Sequence, residues 1–160
     1  MDEEKAEKKR LTPFHIALLL ILIAAAAMLK IFEFRYPKAT LRAGNSTITV
    51  LVANTPDRQY RGLGKRDTIA PEDGMLFPFA EPGRLGFVMR DMRFPIDIIW
   101  LHDGVIVDIA PNAPLEPGVK EEDLKVYFPR TLANAVLELP AGEAEKLGLR
   151  IGGTIEVVDN

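Results

Sequence analysis

Apolar residues form one long uninterrupted segment near the start of the chain and only short runs afterwards. From Leu11 to Leu29 the chain carries no formal charge. A helix of this length would extend about 28 Å, close to the hydrocarbon thickness of a bilayer. It has no polar stripe, which a helix at the surface of a protein core would show. We therefore predict a charged tail at 1–10 and a transmembrane anchor at 11–34, with the lipid bilayer as a partner.

A cleaved signal peptide is the alternative for this segment. Four basic residues precede the apolar run, and alanines follow at 24–27, as in a signal sequence. The run continues beyond the alanines and is long for a signal peptide, which favours an uncleaved anchor. Basic residues lie on both sides of it, so the positive-inside rule is nearly balanced. A short tail before a single span usually stays inside, so we predict a cell-membrane protein with its domain outside the cytoplasm.

After a linker and first extended segment at 35–46, residues 47–160 read as a β-rich soluble domain. Gly44-Asn45 and Asp103-Gly104 are typical of tight hairpin turns. Thr55-Pro56-Asp57 indicates the start of a short helix. Strands are predicted at 47–52, 74–79, 85–89, 96–102, 105–110, 136–139 and 154–158. Short strands at this spacing predict a mainly β fold, a compact antiparallel β-sandwich or barrel-like domain with one or two short helices.

Composition excludes several classes of function. Residues 39–160 contain 13 Lys/Arg and 18 Asp/Glu, so clustered positive charge for nucleic acid is not expected. The chain has no cysteine, and His102 is the only histidine outside the apolar segment. We therefore expect no disulfide, no histidine- or cysteine-based metal site and no cofactor.

Two acids interrupt strands that otherwise read as buried. Asp97 follows Ile96 in a strand that is apolar on both faces, and Glu138 lies between Leu137 and Leu139. A buried carboxylate must be paired, hydrogen-bonded or protonated. Each acid could therefore be structural, or it could bind a ligand or act in catalysis.

Basic and sulfur-containing residues suggest a binding surface. Arg61 ends the predicted short helix and could pair with one of the two acids. The segment 89–95 places Met89, Arg90 and further charged and apolar residues between two predicted strands. Methionine gives an adaptable apolar wall, so this segment could line a ligand groove, although an ordinary crossover would look similar.

Four blocks occur in an order that resembles a known family. They are 61–63 (Arg-Gly-Leu), 74–77 (Gly-Met-Leu-Phe), 89–99 and 136–142. Together they resemble domain-of-unknown-function family 192, also called uncharacterised protein family 0127, from about residue 47 to 158. The resemblance implies a compact β domain, often behind a signal or anchor in prokaryotic proteins, but no reaction. The family's Trp-Met-Lys-Asn-Thr block reads Val-Met-Arg-Asp-Met here, at 88–92.

The resemblance nominates Arg61, Met89, Asp97 and Glu138 as a candidate site, and Arg90 joins them from the groove argument. We expect an extracytoplasmic binding or accessory module for a small molecule, a glycan or an envelope partner. The alternative is an envelope-associated hydrolase, with Asp97 and Glu138 as acid and base. That reaction requires both carboxyl groups to face one cleft.

Overall fold

The computed structural model describes residues 12–34 and 36–158. The chain divides into two units, Met1–Arg35 and Tyr36–Asn160. The first unit contains an α-helix, α1, at Pro13–Phe34. Within the described ranges, no helix combines the length and apolar character that crossing a membrane requires. The predicted transmembrane anchor at 11–34 is therefore not found there, and the predicted tail at 1–10 lies outside the described residues.

The second unit is mainly β, with one seven-stranded sheet and a few short helices. The strands are β1 Lys38–Ala43, β2 Ser46–Val52, β3 Gly74–Gly83, β4 Ile96–His102, β5 Val105–Ala113, β6 Ala133–Pro140 and β7 Ile155–Val158. They lie in the order β5-β4-β6-β3-β2-β1-β7. The helices are α2 at Pro56–Arg61 and α3 at Glu143–Lys146, and a 3-10 turn lies at Glu121–Asp123.

The sheet curls until its two outer strands meet at one end. Val105, the first residue of β5, bridges Thr154, just before β7. The amide of Ile106 donates to the carbonyl of Gly153 at 2.8 Å, and the amide of Gly152 donates to the carbonyl of Ile106 at 2.8 Å. The result is a half-barrel. The barrel-like prediction is confirmed in this form, whereas the sandwich alternative is wrong because a single sheet supplies the core.

Local signals placed several elements correctly. Asp103 and Gly104 adopt φ of 49° and 79°, the left-handed conformation that a two-residue hairpin turn between β4 and β5 needs. At the start of α2, the backbone amide of Arg58 donates to the Thr55 hydroxyl at 3.3 Å. Both elements form where predicted because short-range chemistry specifies them.

Two elements differ from the prediction. β3 continues through the expected turn at 81–83, and the expected strand at 85–89 is reduced to one bridge between Phe87 and Tyr127. In addition, β2 and β3 pair in parallel, with α2 in the connection between them. Proline and glycine at 82–83 indicated a turn, but they lie where β3 has a register shift against β6. An irregularity of the ladder accommodates such residues.

Each face of the sheet buries its own apolar cluster. The Trp100 face includes Met75, Phe77, Ile98, Trp100 and Val136, and side chains from the loops also pack there. The Leu137 face includes Leu41, Ile99, Leu101, Leu137 and Leu139, together with Ala144 of α3. β4 is buried on both faces because Ile98 and Trp100 point one way and Ile99 and Leu101 the other.

Candidate functional site

Arg90 is held between α2 and the 3-10 turn. Its guanidinium carbon lies 4.1 Å from the centroid of the Tyr60 ring, and its Nη1 donates to the Tyr60 carbonyl at 2.9 Å. Its Nε and Nη2 both approach Glu121 Oε1, at 2.9 Å and 2.6 Å. The Arg90 side chain is 27% exposed. The guanidinium is therefore fixed in position while its outer edge stays near solvent.

Two cavities meet at this arginine, and Arg90 and Met92 line both of them. The larger, of about 410 Å³, is also lined by Glu121 and extends toward Lys65 and Glu116. The smaller, of about 230 Å³, has Tyr60, Phe79 and Phe87 among its walls. We call the two together the Arg90 groove. It combines aromatic and thioether surface with charges of both signs, as ligand sites commonly do.

Two nominated residues besides Arg90 lie at this groove. Met89 is 2% exposed and forms part of the floor of the larger cavity. Arg61 lines the smaller cavity and pairs with Asp57, one turn earlier in α2. Asp57 lies at the i−4 position of the same helix, where an acid and an arginine are neighbours on the helix surface.

Asp97 is fully buried away from the groove, on the Leu137 face. One carboxylate oxygen accepts the backbone amide of Asn112 at 2.8 Å, and the other accepts that of Ala144 at 2.9 Å. Asn112 has a φ of 52°, a conformation that needs local support. Asp97 therefore joins the end of β5 to the first turn of α3, and this role is structural.

Glu138 is 4% exposed, and its Oε2 has no hydrogen-bond partner among the described residues. Its neighbours across the ladder are Met75 on β3 and Ile98 on β4, both apolar members of the Trp100 face. Burial raises the pKa of Glu138 from 4.5 to about 8. Burial among apolar side chains therefore favours the neutral acid over the carboxylate.

The sheet keeps these two acids apart. Asp97 is opposite Leu139 in the β4–β6 ladder, whereas Glu138 is opposite Ile98. Directly opposed residues share a face, so Asp97 and Glu138 point to opposite faces. The predicted carboxylate pair is corrected accordingly: no single cleft can hold both groups, as acid–base hydrolysis would require.

A larger cavity, of about 550 Å³, lies where the β1–β2 hairpin meets α3 and the start of β7. It contains Arg42, Lys146 and Arg150, but no aromatic residue and none of the nominated residues. Among the residues that the structure describes, no group of three or more His, Asp or Glu side chains could hold a metal ion.

Tyr60 and Glu121 complete the groove, and sequence reasoning missed both. They lie 61 positions apart, and the Tyr60 hydroxyl approaches Glu121 Oε2 at 3.3 Å. Tyr60 is 58% exposed, unusual for a large aromatic side chain. A tyrosine directly before Arg61 in a short helix was the available signal, but nothing local connected it to a distant acidic loop.

The fold and the groove define a β-rich half-barrel domain with a two-chamber surface cleft. The model of the family DUF192, described as Uncharacterized ACR, matches residues 39–157 of this chain. The chain therefore belongs to this family. The resemblance drawn from the four ordered blocks is thereby confirmed.

Two solved structures are similar to the domain. One, a candidate transcription regulator from Sinorhizobium meliloti 1021, is 30% identical with a TM-score of 0.67, covering 76% of this chain and 95% of that chain. The other is a protein of unknown function from Novosphingobium aromaticivorans DSM 12444, which is 28% identical with a TM-score of 0.63. The match covers 76% of this chain and 84% of that chain. No curated protein matches the chain. The function must therefore be argued from the groove.

Proposed function

We propose that the domain is a binding module and that the Arg90 groove receives its ligand, a small organic molecule or one unit of a glycan. The observation that carries the proposal is the meeting of two cavities at an arginine whose guanidinium is already stacked on an exposed tyrosine. A planar guanidinium and an exposed aromatic ring both offer flat surfaces to a ligand.

The groove can hold a ligand without rebuilding the fold. Its floor consists of buried side chains such as Met89 and Leu63, which belong to the Trp100-face core. Its rim includes Tyr60 on α2 and Glu121 on the 3-10 turn, both of them exposed. A rigid floor lowers the entropic cost of binding, and methionine at the junction adapts to ligand shape.

Nucleic acid is not proposed as the ligand, although one similar structure is a candidate transcription regulator. Residues 39–160 carry more acidic than basic residues. In addition, Lys65 and Arg93, the other cations of the larger cavity, pair with Asp91 and Asp67. Phosphate-backbone binding needs free clustered cations.

Methionine-methyl NMR of the full-length chain tests the proposal. The chain has five methionines, of which Met89 and Met92 line the groove and Met75 lies buried in the core as an internal reference. Titration with a panel of aromatic fragments and monosaccharides is expected to shift Met92, and to a smaller extent Met89, while leaving Met75 unchanged. A panel that shifts Met75 alone, or no methyl group, contradicts the proposal.

A matched pair of variants locates the binding surface. Tyr60→Ala is expected to weaken binding of a shifting compound about tenfold, which corresponds to about 1.4 kcal/mol. Phe128→Ala is the control: Phe128 is 53% exposed and also lies beneath an arginine, Arg84, but does not line either cavity. Equal weakening by both variants would place binding outside the groove.

We propose separately that the chain is anchored in the cell membrane with this domain outside the cytoplasm. The proposal rests on the sequence alone, on the charge-free run from Leu11 to Leu29. Alkaline carbonate extraction and protease accessibility of intact cells test it. Release of the full-length chain by carbonate, or protection of the domain in intact cells, would contradict the anchor or its orientation, respectively.

A further inference from the structure

We infer that the ligand of the Arg90 groove carries a carboxylate, and that this carboxylate binds Arg90 at the position where the structure places the Glu121 carboxylate. The inference rests on the proposed binding function and names the chemical class of the ligand. It makes Glu121 an internal competitor, which a ligand must displace from Arg90.

The first argument is the geometry of the guanidinium. Arg90 Nη1 donates a hydrogen bond to the Tyr60 carbonyl oxygen, and the Tyr60 ring covers one face of the guanidinium. The remaining edge presents Nε and Nη2, the pair of donors that forms two parallel hydrogen bonds with a carboxylate. The arginine is therefore preorganised for an oxyanion that accepts two parallel hydrogen bonds, such as a carboxylate.

The second argument is how Glu121 uses that edge. Both donors converge on a single oxygen, Oε1, at 2.9 Å and 2.6 Å. The Tyr60 hydroxyl lies 3.3 Å from the other oxygen, Oε2, and 3.4 Å from Oε1. Glu121 therefore does not form the parallel two-oxygen arrangement, and an incoming carboxylate that does would bind the same edge with better geometry.

The third argument is energetic. The Glu121 side chain is 53% exposed, and an exposed ion pair contributes only about 0–1 kcal/mol. Displacing Glu121 is therefore inexpensive, since its carboxylate regains water. The ligand also gains contacts that Glu121 does not make, because the rest of the molecule can extend into the cavities on either side of Arg90.

The charges of the larger cavity do not favour a phosphate over a monoanion. Its lining contains three acids and three cations, which are Asp91, Glu116, Glu121, Lys65, Arg90 and Arg93. Because these charges balance, the cavity offers no surplus of positive charge for the second charge of a dianion. Phosphate therefore serves as a comparison probe.

The experiment titrates the full-length chain with benzoate, with neutral benzamide and with inorganic phosphate, and follows the Met92 methyl signal. Benzoate is expected to bind at least about fivefold more tightly than benzamide, and phosphate more weakly than benzoate. Glu121→Gln keeps the size of the side chain and removes its charge, so it should tighten benzoate binding about threefold or more. Arg90→Lys keeps the charge but loses the paired donors, and it should weaken benzoate binding about tenfold.

Glu122→Gln is the matched control, because Glu122 is the neighbouring exposed acid and lies 3.9 Å from Lys120 rather than at Arg90. Equal effects of Glu121→Gln and Glu122→Gln would reduce the result to general charge and overturn the inference. Benzamide binding as tightly as benzoate, or phosphate binding more tightly, would also overturn it while leaving the groove as a binding site. If none of the three probes shifts Met92 in the wild type or in Glu121→Gln, the inference fails, and the wider fragment panel decides the binding function separately.

Discussion

Asp97 and Glu138 lie on adjacent strands, one position out of register, and therefore point to opposite faces of one sheet. The Asp97 carboxylate accepts two backbone amides on the Leu137 face. The Glu138 carboxyl group lies among apolar side chains on the Trp100 face, and its Oε2 has no partner among the described residues. The two acids therefore affect stability in different ways, and neither lines the Arg90 groove.

Glu138→Gln should reduce the pH dependence of folding stability. Burial raises the pKa of Glu138 to about 8, so the folded chain retains a proton that the unfolded chain releases above its ordinary 4.5. The free energy of unfolding therefore falls as pH rises from about 4.5 to 8. We expect Glu138 to account for a loss of roughly 2–5 kcal/mol across this range. Denaturant unfolding at pH 5 and pH 8, followed by Trp100 fluorescence, measures this change in the free energy of unfolding.

Asp123→Asn is the control for this comparison, since Asp123 is exposed on the 3-10 turn. It should retain the wild-type pH dependence. Parallel pH profiles for Glu138→Gln and the wild type would show that Glu138 is not a buried neutral acid.

Asp97→Asn should destabilise the domain at neutral pH by about 2–4 kcal/mol, because the amide nitrogen cannot accept a backbone N–H. One of the amides of Asn112 and Ala144 would then lose its acceptor. Hydrogen exchange of these two amides should accelerate more than exchange in the β1–β2 hairpin. Unchanged protection of both amides would refute the structural role of Asp97.

Gly74→Ala should destabilise the domain by about 3 kcal/mol or more, because two strands approach too closely for a methyl group. A Cβ at Gly74 would overlap the Glu138 carbonyl oxygen and would lie 2.7 Å from Leu139 Cδ2. Gly83→Ala on the same strand is the control, since its nearest atom would be Leu85 Cδ2 at 3.7 Å. Thermal unfolding compares them, and similar melting temperatures would argue against this packing.

Asp108→Asn should reduce stability by about 1–3 kcal/mol at neutral pH, since Asp108 accepts from the Arg130 side chain and from two backbone amides. Arg130 lowers the pKa of Asp108 below its ordinary 3.8. The stabilisation is therefore present above that pH and is lost as pH falls through the lowered value.

Acid unfolding of the wild type and of the Asp108→Asn variant tests whether this stabilisation is lost at low pH. Glu156→Gln is the control variant. Glu156 also faces an arginine, Arg42, at 3.5 Å, but in an exposed pair that contributes little. If both variants lose the same stability at pH 7, Asp108 does not hold the loop before β6.

Sequence reasoning succeeded where short-range chemistry decides the structure. The Asp103-Gly104 hairpin and the Thr55 cap formed as predicted, because turn and cap residues act within a few positions of themselves. It failed for the segment 85–89, where β propensity was present but only the Phe87–Tyr127 bridge formed. Strand pairing depends on a partner elsewhere in the chain, and propensity does not contain that information.

The candidate site divides in the same way. The sequence by itself determined the membership of the family, the β-rich class and the buried character of Asp97 and Glu138. It also nominated Arg61, Met89 and Arg90, which line the Arg90 groove. Only the tertiary structure decided that the two acids lie on opposite faces, and that Tyr60 and Glu121 hold Arg90 between two cavities. The physical reason is that strand register and long-range contacts arise from the packing of segments distant in the sequence. Burial patterns and turn preferences depend instead on residues that are close together in the sequence.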